Sequence, residues 1–317
     1  MKRGVDEKSS LSGARVVVCG ALAFDEILQV EGTLWPTDDH PASVRRSFVA
    51  VKAHTAFGGC AGTIGYALAG LGHTPILVAS IGRDAGAYTR HLRNQSVDLS
   101  AVMEHPDLLT ARCVVLTDVA GAQLIAFHPG AVARHAPVPT SAAGASLAML
   151  APSTTTSVIR QMQSLKHQGI PVLWLPSHSV ADYRNEQLRQ LLGAADYVIV
   201  NETEDRTVRA SLQASADEVS GLLSAYIVTL GDRGSVLRAD GRVQHIAPVP
   251  ATVQDPTGSG DFYAAGFAHG VLSGLDLVTA AMYGSVMGSL NAAHKGTQTF
   301  PVRPAEIAAR FAAAYNG

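Results

Sequence analysis

The chain has 317 residues, of which 47% are apolar, 16% charged and 6% aromatic, enough apolar material for a full core and a composition that excludes extensive disorder. Lys plus Arg number 24 against 26 Asp plus Glu, a formal charge of −2 with no basic block or stripe, which argues against nucleic acid as a partner. Length fits either about two domains or one large α/β domain.

Residues 1–14 are polar and lack the apolar core of a signal peptide, so a flexible leader is expected, with the folded domain running from 15 to 317. Residues 16–20 (VVVCG) read as a buried strand, which Asp25 is expected to follow at its carboxyl end, where open α/β sheets bind ligands. Residues 28–57 scatter β-type residues around polar turns. A helix is expected over 63–72, closed by Gly72, and a strand over 75–81. Residues 112–118 and 123–128 flank a turn at Gly121, a hairpin signal; with the 28–57 segment they predict a small side sheet. A helix follows over 157–167, then strands over 171–175, 196–200 and 226–230. Residues 235–238 and 243–246 form a second hairpin around Asp240-Gly241, a strong turn dipeptide. Helices dominate from Asp261, and an amphipathic helix over Pro304–Tyr315 closes the chain.

Apolar strands alternating with helices predict a mostly parallel sheet covered on both faces. No run approaches the ~20 apolar residues of a membrane span. Cys19, Cys60 and Cys113 are too scattered for a CxxC pair or a disulfide framework; such thiols suit a reducing, cytoplasmic setting.

The segment richest in chemistry is Asp255-Pro256-Thr257-Gly258-Ser259-Gly260-Asp261, followed by the helical pattern FYAAGFAHGVL. Glycines let backbone N–H groups approach a ligand, and a helix starting near Ser259 presents free donors and a positive dipole end to an anion. Asp261, in the first turn, is placed to take a proton from an attacking hydroxyl. Taken alone, a first-turn acid also simply favours the helix dipole. Neither GxxxxGK[ST] nor GxGxxG occurs in the chain.

DPTGSGD resembles the DTxGAGD signature of the ribokinase-like (PfkB) family of sugar and nucleoside kinases. Further matches follow in order from about residue 15 to 300: GALAFD (20–25), GGCAGT (58–63, against GGxxxN), GRDAG (82–86), NETE (201–204) and TLGDRG (229–234). AFHPGA (126–131) and GTQ (296–298) resemble the adenosine kinase-like nucleoside-kinase branch.

The resemblance implies a ribokinase-like α/β fold in which segments near 28–57 and 108–131 form a lid sheet, through which two copies pair in some relatives. It implies an ATP-dependent kinase, with Mg²⁺ and in many members K⁺, acting on the 5′-hydroxyl of a nucleoside. Asp261 becomes the general base, and Gly258, Ser259 and Gly260 the phosphoryl cradle. Asp25, Gly58, Gly59, Thr63 and Phe127 become substrate contacts, with Thr63 standing where the family has Asn. Asn201, Thr229, Gly231, Gly234 and Asn291 fall to the nucleotide, Glu204 to water-bound Mg²⁺ and Asp255 to K⁺. Trp35, Phe57, His128 and His178 are further pocket or packing candidates, while His294 and Lys295 receive no role. The same residues fit a kinase for a free sugar such as ribose or a hexose, and a non-catalytic nucleoside-binding relative is the alternative outside enzymes.

Overall fold

The computed structural model describes residues 13–34 and 47–315. The expected leader thus lies almost wholly outside the described residues, as do Trp35 and part of the 28–57 segment. In chain order the strands are β1 (Arg15–Cys19), β2 (Ala23–Val30), β3 (Ala50–Gly58), β4 (Thr74–Gly82), β5 (Val102–His105), β6 (Ala111–Thr117), β7 (Gln123–His128), β8 (Leu147–Leu150), β9 (Val172–Trp174), β10 (Tyr197–Asn201), β11 (Ala225–Thr229), β12 (Ser235–Ala239) and β13 (Arg242–Ile246). The helices are α1 (Cys60–Gly70), α2 (Gly86–Asn94), α3 (Thr155–His167), α4 (Asn185–Ala194), α5 (Glu202–Leu212), α6 (Ala216–Ser220), α7 (Ser259–Leu272), α8 (Leu277–Ala292) and α9 (Pro304–Tyr315).

The large sheet runs β13-β12-β11-β10-β9-β8-β1-β4-β5. It is parallel from β11 to β5, and β12 and β13 close one edge antiparallel. The period-two alternation of β1 deals Val16 and Val18 to one face and Val17 and Cys19 to the other. Ile64 and Leu68 of α1, Phe262 and Phe267 of α7 and Met287 of α8 cover the first face. Val158 and Met162 of α3, Leu188 of α4 and Val208 of α5 cover the second. Among the described residues no helix is long and apolar enough to cross a membrane.

One helix end and one helix pair show how local sequence positions the elements. Helix α1 stops where Gly72 turns left-handed (φ 89°); the N–H groups of Gly72 and His73 return to the carbonyls of Ala69 and Leu68, a Schellman closure. Helices α7 and α8 lie close because Gly266 and Gly270 leave no side chain between them and the backbone at Tyr283 and Ala280.

The second sheet is small, in the order β3-β2-β6-β7. Strand β2 pairs antiparallel with β3 and parallel with β6, and β6 and β7 form the expected hairpin. Strand β7 is exposed along its whole length. The other expected hairpin also forms: Asp240 and Gly241 both have positive φ (50° and 69°) between β12 and β13.

The structure departs from the sequence expectation in three places. Asp25 does not end the first strand of the large sheet; it lies within β2, at the centre of the small one. Helix α1 begins at Cys60 rather than Thr63, because Gly59 is already its N-cap. Strands β5 and β8 were not anticipated. Each is four residues long, and LAML in an Ala-rich stretch has no β-branched residue or period-two signal to set it apart from a helix.

Candidate active site

The carboxyl ends of β8, β9, β10 and β11, the small sheet, and the N-termini of α1 and α7 enclose a cleft of about 680 Å³. Open parallel sheets bind ligands at this end. Asp25, Cys113 and Phe127 are register partners on neighbouring strands, and all three line the cleft.

On this side the Gly58-Gly59 turn is built by its neighbours. The Asp25 carboxylate occupies the space a Cβ on Gly58 would need, and a Cβ on Gly59 (φ 80°) would meet the Ala21 carbonyl. The Tyr88 hydroxyl donates to the Gly58 carbonyl (2.6 Å) and receives the Gln298 amide (2.8 Å). Thr63, in the family's Asn position, is buried on the cleft wall. Its hydroxyl donates to Thr297 (3.2 Å), which in turn donates to the Phe57 carbonyl (3.1 Å). Thr63 and the GTQ segment therefore brace the turn as well as bordering the cleft. Phe57 stacks on Tyr88 and His91 and is packing behind the wall.

At the opposite wall Gly258 takes the left-handed N-cap position of α7 (φ 78°) without any side-chain cap. Among the described residues no acceptor takes the N–H groups of Gly258, Gly260 or Asp261. Ser259 is different: its N–H donates to the Pro256 carbonyl (3.1 Å), its hydroxyl receives the Asn291 amide (3.3 Å), and it does not line the cleft. The N–H groups of Gly258, Gly260 and Asp261 are thus left open on this wall, and that of Ser259 is not.

Asp261 faces the cleft from the first turn of α7. Burial pushes its pKa up to about 7; the Cys60 thiol opposes this, and the carboxylates of Asp25 and Glu204 add to it. Burial, reinforced by Asp255, likewise lifts Asp25 to about 6. Carboxylates shifted toward neutrality in a cleft are candidates for functional groups.

Asn201, Glu204 and Thr229 also line the cleft. Asn201 caps α5, accepting from the N–H groups of Thr203 and Glu204 (2.9 Å each), while its own N–H and side-chain amide donate to Glu204 (2.9 and 2.7 Å). The capping geometry and the cleft position coexist. Burial raises the pKa of Glu204, against the Asn201 hydrogen bond and nearby His178. Each Glu204 oxygen keeps lone-pair capacity, and among the described residues no cluster of three acidic, His or Cys side chains could hold a metal by itself. That donor set fits a hydrated Mg²⁺, which keeps waters and takes one or two carboxylates plus phosphates.

Besides Ser259, four expected contacts do not line the cleft. Asn291 is fully buried, and its amide donates to the Thr257 carbonyl (2.6 Å) and to Ser259, holding the 255–261 loop from behind. Asp255 accepts from the N–H groups of Thr257 (2.9 Å) and Gly296 (3.1 Å). Burial works against its ionisation, but these hydrogen bonds and Lys295 outweigh it and hold Asp255 below the usual carboxylate range. It fastens two loops. Gly231 and Gly234 shape the turn between β11 and β12. His178 does line the cleft, whereas His128 does not.

Sequence reasoning gave no role to Cys60, Tyr88 or Thr297, although Cys60 and Thr297 each sit inside a quoted motif. Tyr88 carries no local signal, since its partners Gly58 and Gln298 are 30 and 210 residues away.

The sequence pattern of the pfkB family carbohydrate kinases matches residues 15–304. A nucleoside kinase of Methanothermobacter thermautotrophicus is 26% identical over 307 residues, covering 95% of this chain and 96% of that protein. The structure of a Burkholderia thailandensis nucleoside kinase in complex with inosine superimposes with a TM-score of 0.85 at 31% identity, over 95% of this chain and 97% of that one. A Methanocaldococcus jannaschii nucleoside kinase shares the fold at a TM-score of 0.85 and 23% identity.

Proposed function

The chain belongs to the pfkB family of carbohydrate kinases, and on that premise we propose that it transfers the γ-phosphoryl group of ATP to the 5′-hydroxyl of a nucleoside. Its class is a phosphotransferase with an alcohol acceptor, on a ribokinase-like fold. The observation that carries the finer reading is one cleft with Asp25 at one wall and Asp261, beside unpaired N–H groups, at the other. The likeness to kinases named for nucleosides, one of them bound to inosine, supports a nucleoside over a free sugar.

In this reading Asp25 accepts hydrogen bonds from two neighbouring ribose hydroxyls, and the Gly58-Gly59 turn lets the sugar approach the backbone. Phe127, Pro129 and Val132 offer an apolar wall beyond it. Asp261 takes the proton of the 5′-oxygen as that oxygen attacks phosphorus. The N–H groups of Gly258 and Gly260 hold the charge gathering on the transferred phosphoryl oxygens. Thr229 and Asn201 border the nucleotide side. Mg²⁺, when bound with the nucleotide, would neutralise phosphate charge beside Glu204. The small sheet forms the outer wall, and its closure keeps water from the phosphoryl group. The exposed Leu124, Ile125 and Val51 of that sheet support pairing of two copies through it, which sedimentation velocity tests directly.

The deciding experiment is ATP-dependent turnover against a panel of nucleosides and free sugars, with Mg²⁺ and with or without K⁺. Turnover of nucleosides with sugars inert is expected. Turnover of a sugar alone would keep the catalytic residues and replace the acceptor. Binding of nucleosides without any turnover would convert the reading to a non-catalytic binder.

A further inference from the structure

On the proposed reading the acceptor meets the backbone of the Gly58-Gly59 turn, which leaves open what orients that backbone. Strand β3 ends there, and the body of the protein takes its last two carbonyls. The Phe57 carbonyl accepts from the Thr297 hydroxyl (3.1 Å), and the Gly58 carbonyl from the Tyr88 hydroxyl (2.6 Å). Tyr88, on α2, is fully buried and does not line the cleft, so the Gly58 carbonyl points away from the acceptor. The peptide is trans, and a planar trans peptide turns its N–H opposite to its carbonyl. The Gly59 N–H therefore faces the cleft side, and among the described residues nothing accepts from it.

We propose that Tyr88 is a positioning residue for the acceptor: its hydroxyl, oriented by Gln298, fixes the Gly58-Gly59 peptide so that the Gly59 N–H donates to an acceptor oxygen beside Asp25. A phenol has one hydrogen to give, and Tyr88 gives it to Gly58. The Gln298 amide then donates to the same oxygen (2.8 Å) and fixes the direction of that hydrogen. The sequence makes room for the oxygen at Gly62 of α1, where a Cβ would collide with the Tyr88 hydroxyl. The ring is held by Phe57, stacked at 4.6 Å, and by Phe24, tilted against it at 5.8 Å. Burial pushes the phenol pKa up, so Tyr88 remains a donor across the working pH range. Gln298 belongs to a segment anchored at the other wall too, because the Gly296 N–H donates to Asp255 (3.1 Å).

The inference rests on this wall binding the acceptor, so its test has two arms. The first needs no acceptor. Tyr88→Phe keeps the ring and its stacking and removes only the hydroxyl. In a crystal structure of the unliganded variant the Gly58-Gly59 peptide is expected to be rotated; an unchanged peptide would overturn the positioning role. The second arm uses the acceptor that the panel identifies. In Tyr88→Phe its KM should rise roughly three- to tenfold, with kcat and the KM for ATP within about twofold of wild type. A merely structural role would lower the melting temperature and the apparent kcat through fewer folded molecules, and would leave the acceptor KM unmoved; that result would overturn the proposal. Gln298→Met leaves the bond from Tyr88 to Gly58 in place and should raise the acceptor KM less than Tyr88→Phe does. It should add nothing in the Tyr88→Phe background, and additive effects would overturn the action of Gln298 through Tyr88. If no member of the acceptor panel is phosphorylated, the kinase reading fails on its own, while the crystal structure still decides whether Tyr88 holds the peptide.

Discussion

The two walls of the cleft are made differently. On the proposed reading the phosphoryl side stands on α7 and α8, packed through Gly266 and Gly270 and held from behind by Asn291 and Asp255. The acceptor side stands on a sheet whose strand β7 is exposed throughout and whose strand β3 is exposed over most of its length. It is tied to the body by the Tyr88 hydroxyl on Gly58, the Thr297 hydroxyl on the Phe57 carbonyl, the Phe57 ring stacked on Tyr88 and His91, and Arg112 reaching Asp84. Transfer needs the cradle and base fixed to within a fraction of an ångström. Admitting and enclosing a substrate needs a wall with little buried area to give up on moving. The division of labour predicts that substitutions on the α7 wall act on kcat and those on the sheet act on KM.

The largest effect is expected at Asp261. Asp261→Asn removes the proton acceptor and should lower kcat by about 10²–10⁴ with an unchanged melting temperature or a slightly higher one. In the wild type the acid limb of kcat/KM should lie near pH 7, with activity falling as the pH drops and the base is protonated. Stability runs the opposite way. Asp25 and Asp261 have folded pKa values of about 6 and about 7, raised from 3.8. The unliganded protein should therefore be most stable below about pH 4 with respect to these two groups, and lose that contribution as pH rises through 7. A melting temperature that rises between pH 5 and 7 in the wild type and in both Asn variants alike would contradict these shifts.

Gly258→Ala comes next. Its φ of 78° is unfavourable for Ala, and the new Cβ would press on Thr297. Positions of this kind cost about 1–3 kcal/mol, so kcat should fall at least roughly tenfold as the cradle shifts, with a lower melting temperature and little change in the KM for the acceptor. A rise in that KM larger than the fall in kcat would break the division between the walls.

Asp25→Asn tests the other wall. Loss of a charge-assisted hydrogen bond, worth about 1.5–3 kcal/mol, should raise the KM for the acceptor roughly 10–100-fold while kcat falls less. Titration of Asn and wild type against a nucleoside and its 2′-deoxy analogue would sharpen this: the variant should discriminate less between the two.

How much of this was legible in the sequence follows the same line. The α7 wall is local: DPTGSGD and the helix after it encode the left-handed N-cap, the free amides and Asp261 within seven residues. The parallel core was legible from strands apolar throughout, such as residues 16–19. The acceptor wall is assembled from distant segments. Asp25 reads as the end of a buried strand because β1 and β2 are separated by only a short break, and no local pattern says that the chain leaves one sheet for another there. Asn291 shows the same limit. A lone Asn on a helix gives no sign that it serves a loop 34 residues earlier.

The smallest effect expected is at the tie between sheet and body, and it separates closure from stability. Arg112 lies over the Phe24 ring (5.3 Å), pairs with Glu26 on the neighbouring strand and reaches Asp84 of the body (2.6 Å). Asp84 also accepts from the Thr110 N–H (2.7 Å), so this carboxylate anchors the start of β6 even without the guanidinium. Half-exposed ion pairs contribute only about 0.2–1 kcal/mol, and Arg112→Gln should lower the melting temperature by only about 1–3 °C. If the tie sets how the small sheet meets the body, the variant should still show a several-fold rise in the KM for the acceptor with kcat nearly unchanged. Asp84→Asn should do the same, and the double variant little more than either, because both remove one contact. Additive effects on KM would mean that Arg112 acts through Glu26 within the sheet, and that the Asp84 contact contributes nothing to closure.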